Sequence, residues 1–219
     1  MPRSAELFAS IRKFIKSLLY PLYEWRLAKS LDFSKTPHHV GVILDGNRRW
    51  AKSNPTLNDP HGHKAGASKI IDFLGWCEEA DVKVVTLWLL STDNFKRSQE
   101  EIDDLLKVIG DTVDELAATG RWNIKPVGAL DLLPSWLADK LAALKPIRSD
   151  GVEVNVAISY GGRREIVDAV KSYMGEEVLA GHSLTDAAAK LTAEDISKFL
   201  YTAGQPDPEL LIRTSGEQR

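Results

Sequence analysis

The feature that most constrains this chain is a set of short runs that are apolar almost throughout, rather than at every second position. HVGVIL at 39–44 and VKVVTLWLL at 82–90 are the clearest. A strand of that composition is covered on both faces, as happens when helices flank a parallel sheet. Further strands are expected at 123–127, at 152–159 (VEVNVAIS) and at 210–213. Between them lie helix-like stretches at 64–80, 98–119, 134–145 and 163–179. Ser98 and Glu101 form a capping-box pattern, and Thr192 with Asp195 opens a last helix that ends near Leu200. Strands alternating with helices predict an α/β fold, a central mainly parallel β-sheet flanked by helices, with right-handed crossovers. No internal repeat is present, and 53–62 reads as a flexible loop.

Residues 1–34 read as an N-terminal amphipathic helical segment and 35–219 as the α/β domain. Leu7, Phe8, Ile11, Phe14, Ile15, Leu18, Leu19 and Leu22 recur at helical spacing, with Arg12, Lys13, Lys16 and Arg26 among or beyond them. Pro21 is expected to kink this helix. Packing against the domain or a partner subunit is one use of such a stripe; lying on a lipid surface is another. The formal charge of −3 gives no sign of a nucleic-acid binder, and the single Cys77 rules out an intrachain disulfide. No apolar run reaches the roughly 18–20 residues that cross a bilayer, and no leader pattern is visible. A cytoplasmic location, with membrane association left open, is the expectation.

In open parallel sheets, ligands gather beyond the carboxyl ends of the strands. After the first strand comes Asp45-Gly46-Asn47-Arg48-Arg49-Trp50. A carboxylate there suits Mg²⁺, which prefers oxygen donors and bridges to phosphates. Gly46 lets a backbone approach a ligand closely, the following N–H groups can open a helix over an anion, and arginine adds forked donors. A plain capped turn is the alternative reading. After the second strand comes Ser91-Thr92-Asp93-Asn94-Phe95-Lys96-Arg97, with hydroxyl donors, a guanidinium and a ring able to pack on an apolar chain. Ser159-Tyr160-Gly161-Gly162 reads as an architectural turn. Arg213-Thr214-Ser215-Gly216-Glu217-Gln218-Arg219 offers a second oxyanion site, or simply a charged chain end. His63 stands alone near the start of a helix.

Together, HVGVILDGNRRWAK, GHKAG, TLWLLSTDNFKR, NVAISYGGRREI and LIRTSGEQR resemble the cis-prenyltransferases, the undecaprenyl diphosphate synthase-like enzymes. The pieces run in family order from 39 to 219. The resemblance implies an Mg²⁺-dependent transferase that condenses isopentenyl diphosphate with an allylic diphosphate to form a cis double bond. Asp45 would be catalytic and bind the metal. Gly46, Asn47, Arg48 and Arg49 would cradle the allylic diphosphate, assisted by His63. Trp50 and Phe95 would line the entrance for the apolar chain. Asn94 would sit near the proton that leaves, with Ser91 orienting it and Thr92 and Asp93 beside it. Arg97, Arg213 and Arg219 would bind isopentenyl diphosphate. A homodimer follows from resemblance alone.

Four departures from the family pattern stand out. Phe95 replaces a frequent Trp. An Arg common before the Gly-His motif is absent, with Asn58 or Asp59 in its place. The family pattern continues past Arg219, through a Ser contact, further helix and strand and a metal-linked Glu. Finally, Leu89 stands where long-chain members carry Ala, and it is expected to shorten the product tunnel. That predicts one addition to geranyl diphosphate, giving (2Z,6E)-farnesyl diphosphate, a precursor of cell-wall lipid carriers. The stripe Ile102, Leu105, Leu106, Ile109 and Val113 is expected to form one tunnel wall. Alternatives are a medium- or long-chain polyprenyl (decaprenyl or undecaprenyl) diphosphate synthase and a non-catalytic partner subunit of a heteromeric prenyltransferase. A nucleotide-binding module lacks support, since no P-loop or dinucleotide glycine pattern occurs.

Overall fold

The computed structural model describes residues 19–46 apart from 24 and 28, residue 49, and residues 59–147 and 150–215; the side chains of 59–66 and 68 are not described. The chain divides into two compact units, 1–36 and 37–219. In the first unit, the described residues between 19 and 30 are helical, Pro21 included. A short 3-10 turn, Phe33–Lys35, follows, capped by Asp32, whose side chain accepts from the Ser34 N–H at 3.2 Å. The expected stripe from Leu7 to Leu18 lies outside the described residues.

The second unit is built on a five-stranded sheet. Strands β1 (His39–Ile43), β2 (Val84–Trp88), β3 (Asn123–Val127), β4 (Glu153–Ala157) and β5 (Leu210–Arg213) lie in the order β3-β4-β2-β1-β5, with every pairing parallel. The apolar runs are buried as their composition requires: Val85, Leu87, Val154 and Val156 are fully covered. β3 lies at one edge of this sheet, which lets it carry Pro126 without losing an interior ladder bond. β1 lies between β2 and β5, so the chain leaves β1 toward one side and later returns to its other side. That is the switch point where a crevice opens at the carboxyl end of a parallel sheet.

Helix α1 (Asp59–Glu79) begins five residues earlier than expected, inside the segment read as a loop. Pro60 occupies its first turn, where a missing N–H costs nothing. Helix α2 (Gln99–Ala118) packs on α1 and on α3 (Ser135–Ala142). Ser98 caps α2, its hydroxyl accepting from Glu101 N–H at 3.3 Å. Helix α4 (Gly162–Leu179) packs with α5 (Leu184–Lys190) and α6 (Ala193–Lys198). The Thr192–Asp195 capping box that opens α6 is formed in full, whereas α5 was not expected.

The turn at 159–162 is architectural. Tyr160 N–H donates to Leu90 O at 3.1 Å, and Thr92 N–H donates to Tyr160 O at 3.0 Å. A Cβ on Gly161 would lie 2.6 Å from the Thr92 hydroxyl, so a side chain there would force Thr92 aside. Trp88 stacks edge-on against Tyr160 at 4.9 Å between centroids. The end of β2 and the loop after it are thereby fixed to the end of β4.

Candidate active site

Because β2, β1 and β5 are neighbours, the segments after them converge. Asp45, Ser91, Asn94 and Arg213 come from distant parts of the chain and line one cleft of about 580 Å³. Two of its sides differ in kind. The mouth carries Asp45, Gly46, Arg49, Ser91, Asn94, Arg97 and Arg213. Much of the rest of the lining is apolar, from Ile70 of α1, Leu89 just after β2, and Leu105, Val108 and Ile109 of α2. Three guanidinium groups against one carboxylate make the mouth an anion site. An anionic head joined to a hydrocarbon tail matches both parts.

Asp45 is held closely. Its Oδ2 accepts from Arg213, from Nε at 3.2 Å and from the terminal guanidinium nitrogen. Its Oδ1 accepts from Gly46 N–H at 2.6 Å. The hydrogen bond from Arg213 is the main reason the carboxyl lies below the usual carboxylate range, with burial opposing and Gly46 and Arg49 helping. Gly46 has φ of 94°, in the left-handed region, and a Cβ there would meet Ser215 Cα at 3.4 Å. The backbone can therefore turn tightly beneath the Arg213 loop.

Thr214 stitches the two strand ends together. Its hydroxyl donates to Asp45 O at 2.6 Å and accepts from Asp45 N–H at 3.0 Å, and its own N–H donates to Ile43 O at 3.2 Å. The sequence reading placed Thr214 only as a neighbour of Arg213; its hydroxyl beside a strand-end arginine was the available signal.

Asn94 is oriented by its own turn, a 3-10 helix over Thr92–Lys96. Its Oδ1 accepts from Ser91 N–H at 2.9 Å, which leaves the amide nitrogen as the group available to a ligand. Arg97 extends along the start of α2, donating to Glu101 at 3.2 Å.

Other expected residues lie elsewhere. Thr92, Asp93 and Phe95 are not among the residues lining the cleft. Thr92 packs on Gly161, Asp93 forms an exposed ion pair with Lys96 at 2.7 Å, and Phe95 packs against the core. Asn47, Arg48, Trp50 and Arg219, and the side chain of His63, lie outside the described residues. All five residues of the expected tunnel stripe on α2 belong to the core, and two of them, Leu105 and Ile109, also line the cleft. Val108 and Thr112 join the cleft wall, one helical step around.

Among the described residues, no three histidine, cysteine or carboxylate side chains gather to hold a metal. Asp45 is nonetheless a hard oxygen donor, ionised and partly exposed at the cleft mouth. One carboxylate combined with substrate phosphates is the donor set Mg²⁺ favours over an all-protein cage.

The sequence profile of the undecaprenyl diphosphate synthase family matches residues 43–219. The (2Z,6E)-farnesyl diphosphate synthase of Thermobifida fusca is 54% identical over 203 residues, spanning 92% of this chain and 80% of that protein. Isoprenyl transferase 1 of Streptomyces avermitilis is 50% identical over 212 residues, spanning 96% and 82%. The (2Z,6E)-farnesyl diphosphate synthase of Mycobacterium tuberculosis is 43% identical over 210 residues, spanning 94% and 80%. Among solved structures, lavandulyl diphosphate synthase from Lavandula x intermedia, crystallised with dimethylallyl diphosphate, superposes with a TM-score of 0.71 at 31% identity, covering 84% of this chain and 80% of that one.

Proposed function

Since the chain belongs to the undecaprenyl diphosphate synthase family and is a cis-prenyltransferase, we propose that its cleft joins one isopentenyl diphosphate to geranyl diphosphate and releases (2Z,6E)-farnesyl diphosphate. The observation that carries this reading is Leu89 among the apolar residues that line the same cleft as Arg49, Arg97 and Arg213. A leucine there occupies space that a growing chain would need, and close-packed interiors do not yield it readily. The related farnesyl diphosphate synthases support the same length.

The chemistry follows from the two parts of the site. The allylic C–O bond breaks and the diphosphate departs with the electron pair. The terminal alkene carbon of isopentenyl diphosphate bonds to the allylic carbon, and a proton leaves to form the new cis double bond. Arg49, with Gly46, Asn47, Arg48 and His63, holds the allylic diphosphate, and its positive charge stabilises the leaving group. Arg97, Arg213 and Arg219 hold isopentenyl diphosphate so that the reacting carbons lie adjacent. Asn94, oriented by Ser91, positions the diphosphate or water that takes the proton. Asp45 would hold Mg²⁺, which supplies charge neutralisation at the departing diphosphate.

We read the working enzyme as a cytoplasmic homodimer with peripheral membrane contact, supplying precursors for a cell-wall lipid carrier. Exposed Ile166, Val167, Val178 and Leu179 on α4 support a second copy as partner. Exposed Tyr20, Tyr23 and Trp25 in the N-terminal segment support a lipid surface. No described helix is long and apolar enough to cross a membrane.

Incorporation of labelled isopentenyl diphosphate onto geranyl and farnesyl diphosphates tests the reading. Geranyl diphosphate should be the better primer, with incorporation stopped by EDTA and restored by Mg²⁺. No incorporation onto any primer by folded protein would overturn it in favour of a non-catalytic partner subunit.

A further inference from the structure

Asp45 has two claimants. Both oxygens of its carboxylate are engaged within the protein, Oδ1 by Gly46 N–H and Oδ2 by two nitrogens of Arg213. The same Arg213 lines the cleft where a diphosphate head would lie. The Nε and terminal nitrogen that both donate to Oδ2 form one edge of the guanidinium, and that edge cannot also be given to a diphosphate. A divalent cation brought to Oδ2 while Arg213 remains there meets a positive charge at hydrogen-bond range, with Arg49 adding to the same field.

We propose that Arg213 is a clasp that keeps Asp45 from binding a divalent cation until a diphosphate draws the guanidinium away. The proposal rests on the reading of Asp45 as the metal carboxylate. Metal and isopentenyl diphosphate then enter cooperatively, because each favours the arrangement in which Arg213 has left Asp45.

The surroundings suit such a device. The hydroxyl of Thr214 ties Asp45 N–H and C=O to the residue next to Arg213, and Thr214 N–H ties to Ile43. The two backbones thus stay together whichever partner the guanidinium takes. Only the arginine side chain has to move, and no strand needs to shift. An arginine is required for this exchange: it forks onto either oxyanion and stays charged throughout.

Binding of Mn²⁺ alone, followed by electron paramagnetic resonance, tests the clasp without reference to turnover. Arg213→Gln and Arg213→Met should each bind Mn²⁺ roughly tenfold more tightly than the native protein, since the competing charge is gone. Arg213→Lys keeps the charge and should stay close to native. Adding Asp45→Asn to Arg213→Gln should erase the gain. Isopentenyl diphosphate should raise Mn²⁺ uptake by the native protein, measured against the same solution without protein, by a larger factor than in Arg213→Gln, because its phosphate oxygens add metal ligands in both and only the native protein also has a clasp to release. Two neutral variants are used so that a folding defect in one, seen as a lowered Tm, leaves the other to decide. If neither neutral variant binds more tightly, while Asp45→Asn still abolishes diphosphate-dependent uptake, the clasp is wrong and the metal reading of Asp45 stands. If the gain survives in the double variant, the cation is not on Asp45 and both fail.

Discussion

The Thr214 hydroxyl is the smallest part of the site whose removal leaves every proposed ligand group in place. Thr214→Val keeps the shape but removes the bridge between the β1 and β5 ends. We predict a stability loss of about 1 kcal/mol, read by denaturant titration, since the hydroxyl's two hydrogen bonds to Asp45 are lost at an exposed position where water replaces part of them. The same variant should raise KM for isopentenyl diphosphate several-fold, because Arg213 is then less well placed. Gly128 makes a sharper test of local geometry. It has φ of 128°, and a Cβ would lie 2.1 Å from Ile158 O, a backbone atom with no room to move. Gly128→Ala should therefore lower stability by more than about 3 kcal/mol or abolish soluble expression, since strain and overlap act together. Asp45 and Arg213 could be singled out from sequence because each ends an apolar run. The Gly128 approach could not, because it depends on which strand lies beside β3, and no residue of β3 declares that neighbour.

At the scale of elements, α4 is tied to the loop after α6 by a cluster of charged and phenolic groups. Asp168 accepts from Tyr201 OH at 2.6 Å and from Arg164 Nε at 2.8 Å, and Glu165 accepts from Tyr160 OH at 2.6 Å and Tyr201 N–H at 2.9 Å. The hydrogen bond from Tyr201, then that from Arg164, holds the Asp168 carboxyl below its ordinary value. Its contribution is therefore present above the ordinary carboxylate range and is lost as pH falls through the lowered folded value. Asp168→Asn should flatten the acid side of the Tm–pH profile and lower Tm at neutral pH by roughly 2–4 °C. The strands and the long helices were legible because burial writes an apolar pattern: α2 carries a stripe of buried residues along its length. Helix α5 left no such pattern, since its seven residues bury only Ala187. The early start of α1 was hidden by Pro60, which reads as a loop residue unless the first turn of a helix is considered. The cleft wall on α2 was legible only in part. Its apolar stripe faces both core and cleft, and periodicity alone does not separate Val108 and Thr112 from Ile102 and Val113.

For the whole molecule, sheet order and product length are connected through the cleft. Placing β1 between β2 and β5 brings a carboxylate, an amide and three arginines to one cleft, whose apolar lining includes Leu89. If that leucine ends the space open to the growing chain, removing its branched end should lengthen the product while the chemistry at the mouth continues. The most direct measurement is mass spectrometry of the products formed from geranyl and isopentenyl diphosphates with Mg²⁺, for the native protein and for Leu89→Ala side by side. The native protein should give farnesyl diphosphate alone, by a single addition to geranyl diphosphate, and Leu89→Ala additional longer products. A polyprenyl ladder from the native protein, or an unchanged product from the variant, would contradict it.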